Sequence, residues 1–178
     1  MSAILRERVR TALAELGADP ELARRRRLPI FADARSLRFV GLGTDGRDKF
    51  LAPAAAGAWE AMCAAAQADG VELLLVSAFR SFAFQQALIS AKLAKGRSVD
   101  EVFSVNAPPG CSEHHSGRAV DIGSRDTEPL EEDFERTESF AWLQKNAQRF
   151  GFALSYPRGN RHGFLYEPWH WCWRRTTR

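Results

Sequence analysis

The 178-residue chain contains few of the residues that build covalently or metal-stabilised scaffolds. Its three cysteines, Cys63, Cys111 and Cys172, form no Cys-x-x-Cys pair. This argues against both a disulfide framework and a zinc site made of cysteines. Tandem repeats and low-complexity linkers are also lacking, apart from one alanine-rich segment.

Long hydrophobic runs are missing as well. No apolar stretch approaches the roughly 18 residues that cross a bilayer, so an integral membrane protein is not expected. The apolar stretch near the start is short and interrupted by arginines, which does not fit a signal peptide. The sequence as it stands therefore predicts a cytoplasmic protein, and action in the periplasm or cell wall would require another export route.

The chain carries little net charge, because 25 basic residues oppose 22 acidic ones and leave +3. Such a balance gives no reason to expect a nucleic-acid partner. The only dense basic run covers residues 24–27. We expect it to be a solvated face, with contact to an anionic polymer or to lipid headgroups as the alternative.

Hydrophobic spacing predicts a single α+β domain with a mainly antiparallel sheet flanked by helices. We expect helices over residues 5–16, 53–69, 81–95 and 137–149, a short helix capped by Ser98 and Glu101, a hairpin over 37–51, and strands over 71–79, 118–123, 152–156 and 169–173. Residues 1–50 are expected to form an extension of one helix and one hairpin, packed on a core domain of residues 51–178.

Candidate metal ligands occur first in the segment 112–121, where His114 precedes Asp121 by seven positions. On the predicted strand, Ala119, Asp121 and Gly123 share one face, so the carboxylate projects beside small residues and leaves room for an ion. Gly117, together with Gly110, allows the preceding loop to fold back so that His114 approaches Asp121.

A second candidate group is Glu167-Pro168-Trp169-His170 near the end of the chain. Residues three apart on an ideal strand face opposite sides, so Glu167 and His170 converge only if the chain bends. Pro168 supplies a place for that bend.

Two histidines and one aspartate give three ligands with a fourth position open to water, which is the coordination of a catalytic zinc centre. Mixed nitrogen and oxygen ligands suit zinc better than magnesium or calcium. Zinc lowers the pKa of the water it binds, and Glu167 is the candidate general base. Taken singly, a histidine beside aromatic residues is more often a structural, hydrogen-bonding histidine, and Asp121 could equally cap a turn. The two patterns together favour a metal site.

The pattern Ser112-x-His114-x-x-Gly117-x-Ala119-x-Asp121, followed by Glu167-x-x-His170, resembles the signature of the D-alanyl-D-alanine carboxypeptidases of the VanY and VanX type. These belong to the larger LAS group of zinc peptidases, which shares its fold with the hedgehog amino-terminal domain. Residues 77–81 with Gln85, and residues 154–160, resemble flanking blocks of the VanY branch. The resemblance covers about residues 70 to 173 and implies that residues 51–178 are a zinc peptidase domain.

The resemblance implies one zinc ion per chain, held by His114, Asp121 and His170, with Glu167 as base. It also implies that Arg80 stabilises the developing oxyanion. Three further positions, Ser112, Gln85 and Ser155, are implied to bind substrate, and the two hydroxyls could hold its terminal carboxylate. The implied substrate is a peptidoglycan stem peptide or its precursor, which loses its C-terminal D-amino acid.

Several alternatives stay open at this point. The chain departs from the family at His115, where relatives often carry glutamine, and His115 as a fourth ligand is one alternative. His162 could line the cleft, and Cys111 could approach the metal. For the whole chain, the alternatives are an L,D-carboxypeptidase, a peptidoglycan endopeptidase, or a zinc-binding interaction module without turnover. The sequence carries no signal for an oligomeric state.

Overall fold

A four-stranded sheet flanked by helices is the central feature of the computed structural model, which describes residues 3–174. The helices are α1 Ala3–Glu15, α2 Leu22–Arg25, α3 Pro53–Ala68, α4 Phe82–Ala94, α5 Val99–Val105 and α6 Glu138–Asn146, with single 3-10 turns at Glu113–Ser116, Glu132–Arg136 and Ala147–Phe150. The strands are β1 Arg38–Leu42, β2 Asp48–Leu51, β3 Leu74–Ser77, β4 Ala119–Gly123, β5 Phe152–Leu154 and β6 His170–Trp173. Within residues 3–174, no helix combines the length and apolarity needed to cross a bilayer.

The sheet has the strand order β3-β4-β6-β5, and every neighbouring pair is antiparallel. All five residues of β4 are buried, since β3 and β6 cover its two edges, α3 and α6 pack on one face, and the 3-10 turn Glu113–Ser116 contacts the strand. The register places Asp121 of β4 opposite His170 of β6. The separate hairpin of β1 and β2 is the one predicted for residues 37–51. The predicted α+β class with a mainly antiparallel sheet is confirmed.

Two apolar clusters form the core, and one of them holds helices on the sheet. The first packs α3 and α6 against the side chains of Val120, Ile122 and Trp171, the face of β4 and β6 opposite to Asp121 and His170. The second joins α1, α4 and α5 through Leu13, Ile89 and Val102 among others. The N-terminal helix therefore packs on the main body, as expected, while the boundary at residue 50 stays a prediction.

The strand predicted over residues 71–79 is shorter than expected at both ends, because neighbouring elements take its backbone hydrogen bonds. The N–H of Val71 donates to Ala66 at the end of α3. Beyond the strand, Phe79 donates to Phe50 of β2, and the Arg80 N–H lies 3.4 Å from the His114 carbonyl. The exit from β3 is thus tied to the loop that carries the candidate ligand.

The basic run at residues 24–27 is not a uniformly solvated face. Arg24, Arg25 and Arg27 are exposed, but Arg26 is half-buried and stacks on the ring of Phe164 at 4.2 Å. Its guanidinium donates to the carbonyls of Phe103 and His162, each at 2.7 Å. The expectation of a solvated face is wrong for Arg26, which ties α2 to the segment that follows β5.

The loop before β4 folds back as its glycines predict. Gly110 and Gly117 have φ angles of 85° and 66°, in the left-handed region that disfavours other residues. The carbonyl of Gly117 accepts a 2.8 Å hydrogen bond from Ala52, and that of His115 accepts one of 2.7 Å from Ala34. These bonds fix the loop from the side of the N-terminal extension.

Replacing Gly117 by alanine is expected to destabilise the protein more than the same change at Gly159. Both residues have a positive φ, but a Cβ at Gly117 would lie 2.9 Å from the backbone nitrogen of Ala52, whereas one at Gly159 meets nothing within 4 Å. Gly159→Ala should cost about 1 kcal/mol for backbone strain alone, and Gly117→Ala at least about 1 kcal/mol more. Urea unfolding midpoints measure both, and equal losses would contradict the packing argument.

Candidate functional site

The three predicted ligand residues lie together on one face of the sheet, over its two central strands. His114 comes from the 3-10 turn before β4, Asp121 from the centre of β4, and His170 is the first residue of β6. Because β4 and β6 pair Asp121 with His170, their side chains lie next to each other on one face. One ligand atom from each residue lies within 4.8 Å of the others, and all three residues are buried.

The contact between His114 and Asp121 brings two hydrogen-bond acceptors together. His114 Nδ1 lies 2.5 Å from the carbonyl oxygen of Ala78, so Nδ1 is the nitrogen that carries the proton. Burial, and then the charge of Arg80, lower the pKa of His114 to about 4, which leaves Nε2 unprotonated at neutral pH. Nε2 lies 3.2 Å from Asp121 Oδ2 and has no hydrogen-bond donor among the described residues.

Asp121 is charged in this arrangement. Burial would raise its pKa, but the hydrogen bond and positive charge of His170 outweigh it and hold the pKa well below its usual range. An imidazole lone pair and a carboxylate, both buried, therefore face each other. A cation between them would replace this repulsion with attraction, so the residues fit a divalent metal ion.

His170 is held between two carboxylates. Its Nδ1 lies 3.0 Å from Asp121 Oδ1, and its Nε2 lies 3.0 Å from Glu113 Oε2. Burial would lower the pKa of His170, but these hydrogen bonds outweigh it and raise the pKa to about 10. Since Nε2 is bonded to Glu113, Nδ1 is the nitrogen that faces the other two candidate ligands. We call His114, Asp121 and His170 the ligand cluster.

Glu113 is a site residue that the sequence analysis missed. Its Oε2 also accepts a 2.5 Å hydrogen bond from the hydroxyl of Ser155. Burial opposes ionisation, but the bonds from His170 and Ser155 outweigh it and lower the pKa of Glu113 to about 2. The signal that could have identified Glu113 is its place directly before the predicted ligand His114. On an extended chain, neighbours point apart, and only the 3-10 turn and the return of β6 bring Glu113 behind His170.

Glu167 enters the site through the predicted bend. The N–H of His170 donates to the carbonyl of Glu167 at 3.1 Å, which closes a turn at Pro168 and Trp169. The Glu167 carboxylate lies 3.8 Å from Nδ1 of His170. Burial raises the pKa of Glu167 to about 7, because the charged form loses its water.

A cavity of about 520 Å³ opens onto the cluster and collects most of the remaining predicted site residues. Its lining includes Arg80, Gln85 and Ser112. Arg80 Nη2 lies 3.7 Å from Asp121 Oδ2, while its buried Nε has no hydrogen-bond partner in residues 3–174. Gln85 donates from Nε2 to the carbonyl of Ala107, and its buried Oε1 is unpartnered among the same residues.

Four residues considered from the sequence lie elsewhere. Ser155 spends its hydroxyl on Glu113, and it lines a separate cavity together with His162 and Cys111. His115 uses both ring nitrogens to brace the loop, since Nε2 accepts from the Gly110 N–H at 2.9 Å and Nδ1 donates to the Arg80 carbonyl at 2.6 Å. Neither His115 nor Cys111 is part of the ligand cluster.

Comparisons with known proteins point in one direction. A family model described as VanY, D-alanyl-D-alanine carboxypeptidase, matches residues 48–176. The chain is 37% identical over 127 residues to YodJ of Bacillus subtilis (strain 168), an overlap of 68% of this chain and 45% of that protein. It is 33% identical over 117 residues to a D-alanyl-D-alanine carboxypeptidase of Enterococcus faecalis, covering 60% and 42%. The chain thus spans less than half the length of these two relatives.

Solved structures share the fold. The LdcB LD-carboxypeptidase matches with a TM-score of 0.71 and 30% identity, over 82% of this chain and 71% of that one. VanYB in complex with D-alanine-D-alanine matches with a TM-score of 0.60 and 25% identity, over 80% and 84%. A mutant VanY in complex with Zn(II) has the same TM-score and identity, over 80% and 86%.

Removing the Glu113 carboxylate is expected to weaken metal binding without removing a ligand. The carboxylate orients His170 and increases the electron density on the ligating nitrogen, and losses of such partners typically cost about 10- to 100-fold in metal affinity. We expect Glu113→Gln to raise the Zn²⁺ dissociation constant within this range, and His114→Ala to abolish tight binding. Competition with a chromophoric chelator measures both.

The matched control is Glu128→Gln, which removes the same charge from an exposed position outside the cavity lining. It should bind Zn²⁺ like the wild type. An unchanged dissociation constant in Glu113→Gln would show that His170 needs no carboxylate behind it.

Proposed function

The chain belongs to the VanY family of D-alanyl-D-alanine carboxypeptidases, and on that premise we propose that it is a zinc-dependent carboxypeptidase. Its proposed substrates are peptidoglycan stem peptides or their precursors, from which it releases the C-terminal D-alanine. The observation that carries the proposal is the convergence of His114, Asp121 and His170 on one cavity with Glu167 and Arg80.

The donor set supports zinc as the metal. Two imidazole nitrogens and one carboxylate oxygen are typical of catalytic zinc sites, whereas magnesium and calcium prefer oxygen ligands alone. The related VanY structure in complex with Zn(II) points the same way. When bound by His114, Asp121 and His170, zinc supplies a Lewis acid that lowers the pKa of water and polarises a carbonyl.

Glu167 is the proposed proton carrier. A general base works best when its pKa lies near the working pH, and burial raises the pKa of this carboxyl to about 7. Its carboxylate accepts the proton of the attacking water and holds it. It then delivers the proton to the nitrogen of the departing D-alanine as the peptide bond breaks.

Arg80 and the wall of α4 are proposed to hold the substrate. The Arg80 guanidinium lines the cavity, its Nε has no partner among residues 3–174, and it is proposed to stabilise the carbonyl oxygen that gains negative charge. Gln85 has an Oε1 without a partner in the same part of the chain, which can accept an N–H from a peptide, and Ser112 supplies a hydroxyl to the cavity.

Two alternatives are supported to different degrees. The structural match to the LdcB LD-carboxypeptidase favours an L,D-peptide bond as a second candidate substrate. A zinc-binding module without turnover is disfavoured, because a buried carboxyl with its pKa near 7 lies beside the cluster, as a proton carrier requires. The cytoplasmic location stays a prediction.

The proposed function is tested by incubating the purified chain with a peptide ending in D-Ala-D-Ala and with one ending in L-Lys-D-Ala. We expect release of D-alanine from the first peptide, loss of release with a zinc chelator, and recovery on adding Zn²⁺, each followed by mass spectrometry. Release from the second peptide alone would make the chain an L,D-carboxypeptidase. Tight zinc binding without any release would favour the interaction module.

Glu167→Gln is expected to lower kcat by about 100- to 10,000-fold, because the amide cannot accept the proton. Zinc content should stay at one ion per chain, since Glu167 lies outside the ligand set. Glu128→Gln serves again as the charge-matched control and should keep wild-type activity. A fully zinc-loaded Glu167→Gln protein with the wild-type rate would contradict the assigned role.

A further inference from the structure

One part of the cavity wall carries two cations: Lys92 forms no salt bridge with a carboxylate of residues 3–174, and Arg97 acts on Glu101, whose pKa is lowered. Lys92 on α4 is half-buried, and its ammonium donates a 2.8 Å hydrogen bond to Oδ1 of Asn106. Arg97 lies just beyond α4 and lines the cavity as well.

The charges that act on Lys92 are mainly positive. Burial, then Arg97 and Arg80, lower the pKa of its ammonium, and only Glu167 opposes them. The other acidic groups in the cavity lining are placed differently: Asp121 belongs to the ligand cluster, Glu132 pairs with Arg158 at 3.1 Å, and Glu131 is exposed. The half-buried ammonium of Lys92 therefore has no carboxylate in direct contact with it, and an anionic ligand would supply the missing negative charge.

Asn106 holds this ammonium in place. Its Nδ2 donates a 2.7 Å hydrogen bond to the carbonyl of Val102, which leaves Oδ1 directed at Lys92. Asn106 is itself buried. The amide orients the ammonium but cannot neutralise it, so the charge stays available to a ligand.

Lys92 lies on the same helix as Gln85, one of the residues proposed to bind the substrate. Gln85 and Lys92 are seven residues apart on α4, so they lie on the same face of the helix, about 10 Å apart along its axis. Both line the cavity that contains the ligand cluster. The charge of Glu167 also acts on Lys92, so the ammonium lies within electrostatic range of the proposed proton carrier.

We propose that Lys92, assisted by Arg97, forms a carboxylate-binding subsite that makes the cleft selective for peptides with a free carboxylate. The inference rests on the proposed function and adds the feature of the substrate that is recognised. The carboxylate comes either from the C-terminus of the residue to be released or from a side chain of the peptide. The first source makes the chain an exopeptidase, since an internal bond offers no terminal carboxylate.

The experiment uses three peptides that separate the two sources. The first ends in Lys-D-Ala-D-Ala with both amino groups acylated, so its terminal carboxylate is its only charge. The second is the C-terminal amide of the first. The third replaces the acylated lysine by glutamate, which adds a side-chain carboxylate. Calorimetry gives the dissociation constants for zinc-loaded Glu167→Gln protein, which binds the peptides without cleaving them.

In this background, Lys92→Met is expected to weaken binding of the first peptide about 10-fold or more, because hydrogen bonds to charged groups are the strong ones. The preference for the acid over the amide should fall by the same factor. Lys92→Arg, which keeps the charge, should keep most of the preference. Lys95→Met removes an exposed charge at the end of α4, outside the cavity lining, and should change nothing.

Loss of the acid-over-amide preference in Lys92→Met supports the terminal carboxylate as the ligand. If that preference stays and only the gain from the added glutamate is lost, the side-chain carboxylate is the ligand. Equal weakening for all three peptides, or none for any, overturns the subsite. Absence of hydrolysis by the wild type would overturn the proposed function separately, because the binding comparison does not depend on turnover.

Discussion

The site depends on the meeting of a neutral imidazole and a carboxylate, both buried in the protein. His114 spends its only proton on the Ala78 carbonyl, and this directs a bare Nε2 at Asp121. Such a pair of acceptors is unfavourable alone and becomes favourable once a cation lies between them. The geometry of the surrounding loop, including the positive φ of Gly117 and the bracing by His115, keeps these two atoms facing each other.

Near this pair, the carboxyl groups of Glu113 and Glu167 are both buried, but their pKa values differ. Glu113 is ionised because two hydrogen-bond donors surround it, whereas Glu167 has a pKa near neutrality because few partners compensate its burial. One therefore orients a ligand and the other can exchange a proton. The division follows from how many donors each carboxyl receives rather than from its distance to the ligand cluster, since both lie near His170.

The sequence alone was informative where spacing determines geometry. Alternation along β4 placed Asp121 on the side opposite to Val120 and Ile122, and Pro168 marked the bend that joins Glu167 to His170. It was uninformative where pairing between distant segments decides. The exact register that sets Asp121 opposite His170, and the carboxylate of Glu113 behind that ring, arise only when β6 returns beside β4. Ser155 lies in a block that resembles the family, but the sequence did not show that its hydroxyl bonds to Glu113 and that it lines a separate cavity.

The strand order also determines when the candidate metal site forms during folding. Asp121 and His170 are 49 residues apart in the chain, and β6 inserts between β4 and β5 rather than adding at an edge. Closing so long a loop is a late and slow event compared with forming local helices. A nascent chain that has made most of its helices therefore still lacks the geometry of the candidate metal site. An ion held there would stabilise only the completed fold and so oppose the escape of the final strand.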